Sequence, residues 1–318
     1  MKRNSAKAIV ILPAYNEEKA LARTISELVK VLPKSEIVVI DNASTDGTAS
    51  IAKKASVTLL YEPRKGKGFA VQRGFDYAIS KEADVIALLD ADSTYGVERL
   101  EEAVQLVAYG GVDIVVGTRV VASRSEETPN REHFRFGHIL GNKLFGFISK
   151  ALFPTGIEDV LSGFRVMSRP FVFSFPREGK GFEIEALLNS HTFNLGAKVF
   201  NLNVNYYARP DGSHSKLSTY GDGFRILRTN LRNFRNDRPS IAFGTLAVPW
   251  FLATIFLVYL PFSTYFQFGE VPNLPRLVTG IGTFFIACLL WVAGIILERV
   301  RQVRVLLALN AYGLSRRF

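Results

Sequence analysis

The chain has 318 residues, of which 48% are hydrophobic, 12% aromatic and 21% charged; at roughly 150 residues per domain, that length accommodates about two domains. This content excludes an intrinsically disordered chain, and a lone cysteine, Cys288, excludes a disulfide-stapled secreted domain. Within the net charge of +10, residues 1–221 hold 28 Lys and Arg against 25 Asp and Glu, and residues 222–318 hold 11 against 4, so the excess lies beside long apolar runs and points to a membrane surface, not a nucleic acid.

No secretory leader is expected, because the apolar run after Lys2 and Arg3 stops at Pro13. From there to residue 221, short runs of Ile, Val and Leu alternate with helical patterns. Strands are predicted at 8–12, 36–40, 58–61, 85–89 and 113–117, and helices near 17–31, 48–55, 68–80 and 96–109. This alternation predicts an α/β domain with a largely parallel sheet and ligands at the carboxyl ends of the strands.

Polar residues cluster at those ends. The first strand runs into Pro13-Ala14-Tyr15-Asn16-Glu17-Glu18, the second into Asp41-Asn42-Ala43-Ser44-Thr45-Asp46-Gly47, and the fourth into Asp90-Ala91-Asp92. In an extended segment Asp90 and Asp92 present both carboxylates to one side, a set suited to Mg²⁺ or Mn²⁺ with positions left for substrate phosphates. The pattern is common on its own, and its weight comes from its place after a buried strand beside Asp41. Arg64-Lys65-Gly66-Lys67-Gly68 opens the third helix, where glycines, lysines and a helix N-terminus favour phosphate. Val71 takes the third glycine position of a dinucleotide fingerprint and no P-loop is present. His133, His138, His191 and His214 are too scattered for a metal cluster. Glu183 and Glu185 either reach a sugar or lie on a helix surface, and Tyr206-Tyr207 reads as strand packing.

Segment 136–153, with Lys143 and Lys150 among its apolar residues, is too polar to span a bilayer and either lies on it or packs in the core. Segment 222–238 reads as an interfacial amphipathic helix, with Phe224, Leu227, Leu231 and Phe234 on one stripe and Arg225, Arg228, Arg232 and Arg235 beside it. Two spans follow, about 241–264 and 277–297, each near the ~20 residues that cross a hydrocarbon core. A pair of buried core helices is the alternative, but too little chain remains to cover them. Five arginines flank the hairpin on each outer side, against Arg276 alone in the connector, which sets both chain ends in the cytosol. The division is a cytosolic catalytic domain (1–221), an interfacial helix (222–239), a transmembrane hairpin (240–297) and a basic cytosolic tail (298–318).

The ordered motifs PAYNEE, DNASTDGT, DADSTY, VVGTR and EDVLSGFR resemble family 2 glycosyltransferases of the GT-A (Rossmann-like) fold, over residues 8–235. More narrowly they are similar to the polyprenyl-phosphate glycosyltransferases, the group of dolichyl-phosphate mannose synthase and bacterial undecaprenyl-phosphate enzymes with a two-span tail. The resemblance implies inverting, metal-dependent transfer of a sugar from a UDP- or GDP-sugar to a polyprenyl phosphate at the cytosolic face, most simply of a bacterial inner membrane. It also implies Mg²⁺ or Mn²⁺ as cofactor and a homo-oligomer. Pro13, Tyr15, Glu17 and Asp41 match positions that hold the nucleoside, with Lys67 and Asp90 beside it; Asp90 and Asp92 match the metal motif. Thr94 stands where relatives often carry Gln. Asp159 matches the proposed catalytic carboxylate, with Asp92 as its metal-side partner in the chemistry. Arg119, Arg135 (Arg131 is equally placed), Arg209, Ser215 and Lys216 match the acceptor-phosphate site. A phosphate monoester with a second pKa near ~6 is mostly a dianion at neutral pH, so Asp159 is either a base for the remaining monoanion or an orienting group. A processive synthase is disfavoured by the missing QxxRW motif. Another lipid acceptor, or a catalytically silent membrane partner subunit, are the competing readings.

Overall fold

The computed structural model describes residues 6–122, 155–210, 221–271 and 273–315. It divides into two compact units, Met1–Asn230 with Ala308–Phe318, and Leu231–Leu307. The first unit holds one seven-stranded sheet made of β1 (Ala8–Ala14), β2 (Glu36–Asp41), β3 (Thr58–Tyr61), β4 (Val85–Leu88), β5 (Ile114–Val121), β6 (Arg165–Ser168) and β7 (Val199–Tyr206). Their spatial order is β3-β2-β1-β4-β6-β5-β7. β1 pairs parallel with β2 and β4, as do β2 with β3 and β5 with β7, whereas β6 lies antiparallel between β4 and β5.

β1 is an uninterrupted apolar run because both its faces are covered. Val10 and Leu12 join one core layer with Leu21, Leu28, Leu100 and Val104, from helices α1 (Leu21–Val31) and α4 (Leu100–Tyr109). Ile9 and Ile11 point the other way, into a second layer with Val71 and Phe75 of α3 (Lys67–Ser80), and with Phe171 of α5 (Arg169–Ser174) and Leu188 of α6 (Ile184–Leu195). α2 (Thr48–Lys54) follows β2. The chain leaves β1 toward β2 and β3, then returns to place β4 on the other side of β1. That reversal opens a crevice at the carboxyl ends of β1 and β4, the usual ligand position in such sheets.

The element order predicted through residue 117 is observed, with two shifted starts that have local causes. α1 begins at Leu21 instead of residue 17, because Asn16 adopts a left-handed conformation and the Glu17 carbonyl accepts the Ala20 and Leu21 amides. α4 begins at Leu100 instead of residue 96, because Tyr95 bridges Tyr206 and the Gly96 amide donates to the Asn205 carbonyl, which keeps this stretch extended. The periodicity reading did not delineate β6, α5, α6 or β7. β6 is only four residues long, and α6 is buried on all sides from Ile184 to Thr192, leaving no polar face to reveal its period.

α7 (Gly221–Asp237) occupies the stretch read as interfacial; Arg228, Leu231, Arg232 and Arg235 are exposed, and Thr229, Asn233 and Asp237 are buried. α8 (Pro239–Phe268) lies in the second unit and α9 (Leu274–Ser315) does as far as Leu307; both are long and apolar enough to cross a membrane. Most of their large apolar side chains, Phe256 and Phe266 among them, lie on the surface, which sets aside a pair of buried core helices. α9 continues as helix past the apolar run to Ser315.

The hairpin solves a specific backbone problem. Pro261, inside α8, has no N–H to give the Leu257 carbonyl four residues back. Arg276 of α9 supplies the donors instead: its Nε bonds the Leu257 carbonyl at 3.2 Å and its Nη2 the Phe256 carbonyl at 2.9 Å. An unpaired carbonyl in hydrocarbon is costly, so Arg276→Met is expected to destabilise the hairpin by about 1–3 kcal/mol. In a Pro261→Ala background the amide returns and the loss should shrink. Thermal melting of the four proteins in detergent closes this double-mutant cycle, and an undiminished loss in the alanine background would refute the compensation.

Candidate active site

The loops after β1 and β2 are zipped together by the polar residues that made them conspicuous. The Asn16 amide donates to Ser44 Oγ at 3.0 Å and Asn16 Oδ1 accepts the Thr45 amide at 2.8 Å. The Glu17 amide donates to Thr48 Oγ1 at 2.8 Å, and Glu18 Oε2 accepts the Gly47 amide at 2.9 Å. Asp46 accepts from the Thr48 hydroxyl and amide and from the Glu18 amide; burial pushes its pKa up, but these bonds outweigh it and hold the carboxyl below its ordinary value. Much of both motifs therefore builds the crevice wall. Pro13 and Tyr15 stand half-buried at its edge, with Lys65 Nζ 5.4 Å from the Tyr15 ring centroid. Asp41 is buried at the end of β2 and accepts the Ser44 amide at 3.1 Å.

The glycines of Arg64-Lys65-Gly66-Lys67-Gly68 have a different task from the anion approach expected of them. A Cβ on Gly66 would meet the Lys180 carbonyl oxygen at 2.0 Å, and the Gly66 amide is taken by Asn42 Oδ1 at 2.7 Å. Close passage of the 179–180 backbone is what excludes a side chain there. That packing also brings α6 up to Lys67, the first residue of α3. A lysine at a helix N-terminus is locally unfavourable, and Lys67 is matched by two carboxylates: Nζ lies 2.6 Å from Asp90 Oδ1 and 2.6 Å from Glu185 Oε1. Burial alone would push the ammonium pKa down; the two carboxylates more than reverse it, and Lys67 stays charged.

Asp92 lies in the turn after β4, not in an extended segment. Its Oδ1 accepts the Thr94 hydroxyl at 2.6 Å and amide at 3.1 Å, and its Oδ2 sits 2.5 Å from Arg209 Nη2. Arg209 Nη1 is 3.8 Å from Glu17 Oε1. Burial and the neighbouring Asp90 charge raise the Asp92 pKa against the opposing pull of Arg209 and Thr94. Two neighbouring carboxylates that repel each other at the carboxyl end of a strand suit one divalent ion. Among the described residues no third acidic or histidine ligand joins them, so the rest of an ion's shell falls to substrate phosphates and water. Thr94, where a third ligand was in question, has its hydroxyl committed to Asp92.

Asp159 and Arg119, predicted for different roles, form one unit. Arg119 Nε and Nη2 donate to Asp159 Oδ2 and Oδ1 at 2.6 and 2.8 Å, a bidentate fork. The guanidinium also lies 5.4 Å from the Tyr206 ring centroid. Burial opposes its charge, but Tyr95, Asp159 and Tyr206 around it more than offset that and raise its pKa. Tyr95, buried and with its own pKa pushed up by that burial, joins this pair to the metal side by accepting the Gly163 amide at 2.8 Å. Behind them Arg165 is fully buried, with Nε on the Ser162 carbonyl at 3.1 Å and Nη2 on the Val160 carbonyl at 3.2 Å.

The structure thus pairs Lys67 with Asp90 and Glu185, Arg209 with Asp92 and Glu17, and Arg119 with Asp159; the first two sets adjoin through the Asp90 and Asp92 charges. Arg135, Ser215, Lys216, segment 136–153, His133, His138 and His214 lie outside the described residues. His191 is core: it is buried against Phe171 and Phe175, and burial pulls its pKa down to about 4. Tyr95 and Arg165 were not singled out as site residues by sequence, and Glu185, read as reaching a sugar or lying on a helix surface, is buried and paired with Lys67 rather than lying on a surface. The available signal for Glu185 was an acid amid Ile184, Ala186, Leu187 and Leu188, an apolar surround that demands a cationic partner.

Gly163 offers a sharp test of the crevice. A Cβ there would stand 2.1 Å from Asp90 Oδ2. Gly163→Ala is expected to push the carboxylate aside and lower transfer about 10²-fold or more, the cost of an ~1 Å misplacement. Activity within a few-fold of wild type, in a variant of unchanged melting temperature, would show that Asp90 tolerates displacement.

Comparisons with known proteins agree with this architecture. Glycosyltransferase AglJ of Haloferax volcanii is 29% identical over 237 residues, covering 74% of this chain and 75% of that protein. Undecaprenyl-phosphate mannosyltransferase of Micrococcus luteus is 27% identical over 221 residues, 67% of this chain and 88% of that protein. The crystal structure of glucosyl-3-phosphoglycerate synthase from Mycobacterium tuberculosis with Mn²⁺, UDP-glucose and phosphoglyceric acid shares the fold at a TM-score of 0.54 and 20% identity, over 72% of this chain and 80% of that one. Residues 9–173, more than half of the chain, match the glycosyl transferase family 2 domain, and the chain is a member of that family, a glycosyltransferase of GT-A fold carrying two helices able to form a transmembrane hairpin.

Proposed function

We propose that the protein transfers a sugar from a UDP- or GDP-sugar to a polyprenyl phosphate, with inversion, at the cytosolic face of a membrane held by its hairpin. The observation that supports this reading is the Arg119–Asp159 fork, linked through Tyr95 to the side that carries Asp90: a guanidinium suited to a phosphate near a carboxylate pair suited to a metal and a diphosphate. The named acceptor of the Micrococcus relative and the two apolar helices support a lipid phosphate. The Mn²⁺ and UDP-glucose bound by the structural neighbour support a metal-assisted nucleotide sugar.

In this reading an acceptor phosphate oxygen attacks the anomeric carbon, the bond to the diphosphate breaks, and nucleoside diphosphate departs. Mg²⁺ or Mn²⁺ held by Asp90 and Asp92 would neutralise charge on the departing diphosphate. Lys67, kept protonated by Asp90 and Glu185, adds a second fixed positive charge there. Pro13, Tyr15, Glu17 and Asp41 line the nucleoside side. Arg119 and Arg209, with Arg135, Ser215 and Lys216, hold the acceptor phosphate. Asp159 orients the Arg119 fork, a task that needs no proton transfer when the acceptor arrives as a dianion.

The test is transfer of radiolabel from a panel of UDP- and GDP-sugars into undecaprenyl phosphate by the detergent-solubilised chain, with Mg²⁺, Mn²⁺ or EDTA. A lipid-linked product from one donor, lost in EDTA, is the expected result. Donor turnover without a lipid product would exclude the acceptor.

A further inference from the structure

Arg209 and the divalent ion have a claim on the same oxygen. Asp92 is buried, its Oδ1 is taken by Thr94, and Oδ2 is paired with Arg209 Nη2 at 2.5 Å. Asp90 differs, because its cation is shared: Lys67 stands equally close to Glu185 and keeps a partner whatever Asp90 binds. A guanidinium and a metal ion on one carboxylate oxygen repel each other, so a metal bound at Asp92 sets the Arg209 head group loose while leaving Lys67 in place. We propose that Arg209 couples the two substrates by competing with the metal for Asp92, so that loading of the donor side releases Arg209 to the acceptor phosphate.

The geometry around Arg209 permits this exchange without moving the chain. The preceding backbone is pinned where the Tyr207 amide donates to the Thr94 carbonyl at 2.7 Å, on the same turn that carries Asp92. The side chain is 27% exposed whereas that of Asp92 is 6% exposed, so the guanidinium lies between the buried metal ligand and solvent. Glu17 Oε1, 3.8 Å from Nη1, gives the head group a second carboxylate beside Asp92. The coupling is reciprocal by thermodynamic necessity: the acceptor phosphate, by drawing Arg209 away, strengthens metal binding by the factor with which metal strengthens acceptor binding. The inference rests on the acceptor role given to Arg209 under Proposed function, but the competition for Asp92 has a readout of its own.

That readout is Mn²⁺ affinity, measured by electron paramagnetic resonance titration of the full-length protein in detergent without nucleotide, for wild type, Arg209→Gln and Arg209→Lys. Removing the competing charge is expected to tighten Mn²⁺ binding in Arg209→Gln about fivefold or more, with Arg209→Lys between it and wild type. Equal affinities in wild type and Arg209→Gln overturn the competition. Repeating the titrations with farnesyl phosphate is expected to tighten Mn²⁺ binding in wild type, and by a clearly smaller factor in Arg209→Gln. The same factor in both overturns the coupling. A wild type that binds no farnesyl phosphate overturns the acceptor reading and the coupling with it, while tighter Mn²⁺ binding by Arg209→Gln still registers the competition by itself.

Discussion

Asp92→Asn is expected to lower sugar transfer by about 10²–10³-fold, the usual cost of removing one preorganised charge from a site where charge develops. The amide preserves the shape of the side chain and can still accept from Thr94 on one oxygen. What it loses is the charge that a divalent ion requires and that Arg209 now faces. Because Asp92 is buried, solvent screens its charge little, and among the described residues no third acid joins Asp90 to replace it. Initial rates at saturating nucleotide sugar, with Mg²⁺ or Mn²⁺ supplied in excess, measure the effect. Matched melting temperatures separate it from unfolding. A variant within tenfold of wild type under those conditions would remove Asp92 from the metal site.

Asp159→Asn is expected to cost a comparable factor, about 10²-fold or more, the cost of misplacing a group that positions substrate. The loss should have a distinctive form. Asp159 engages Arg119 with both oxygens, at 2.6 and 2.8 Å. Asparagine can accept on one oxygen only, and its amide N–H groups oppose those of the guanidinium, so the fork loses its orientation. If Asp159 works through Arg119, the acceptor KM rises along with the fall in kcat. The acid limb of the pH–rate profile then persists in the variant, because it reports protonation of the acceptor phosphate near pH ~6 and not of Asp159. Arg119→Lys should share the defect, since an ammonium cannot supply two parallel donors. A flattened acid limb in Asp159→Asn, with the acceptor KM unchanged, would instead make Asp159 the base.

A buried histidine contributes to the acid sensitivity of the fold independently of this chemistry. His191 has its pKa pulled down to about 4 by burial, against an ordinary value of 6.5. Its unfolded form therefore binds the proton more readily, and stability is full above about pH 6.5 and declines as the pH falls toward 4. Activity measured below pH 6 should be read beside melting curves at the same pH, so that loss of fold is not taken for titration of the site.

The amino-acid sequence by itself determined the parts of this protein that depend on near neighbours. Apolar runs such as Ala8–Ala14, buried on both faces, announce central parallel strands. Turn residues after them mark the crevice, and the uncharged stretches before Glu270 and Glu298 announce the two apolar helices, since each signal needs only residues within a few turns. The tertiary structure alone decided which charges meet. Lys67 finds Glu185 across 118 residues of chain, and Arg119 finds Asp159 across 40. Both meetings follow from β6, which the periodicity reading did not delineate: reversed between β4 and β5, it brings Gly163 against Asp90 and leads on into α6. Local pattern places an acid at a strand end, but a buried charge takes its partner from whatever the sheet order carries to its side. Side chains that sequence divides between donor and acceptor are bound to one another in space for that reason.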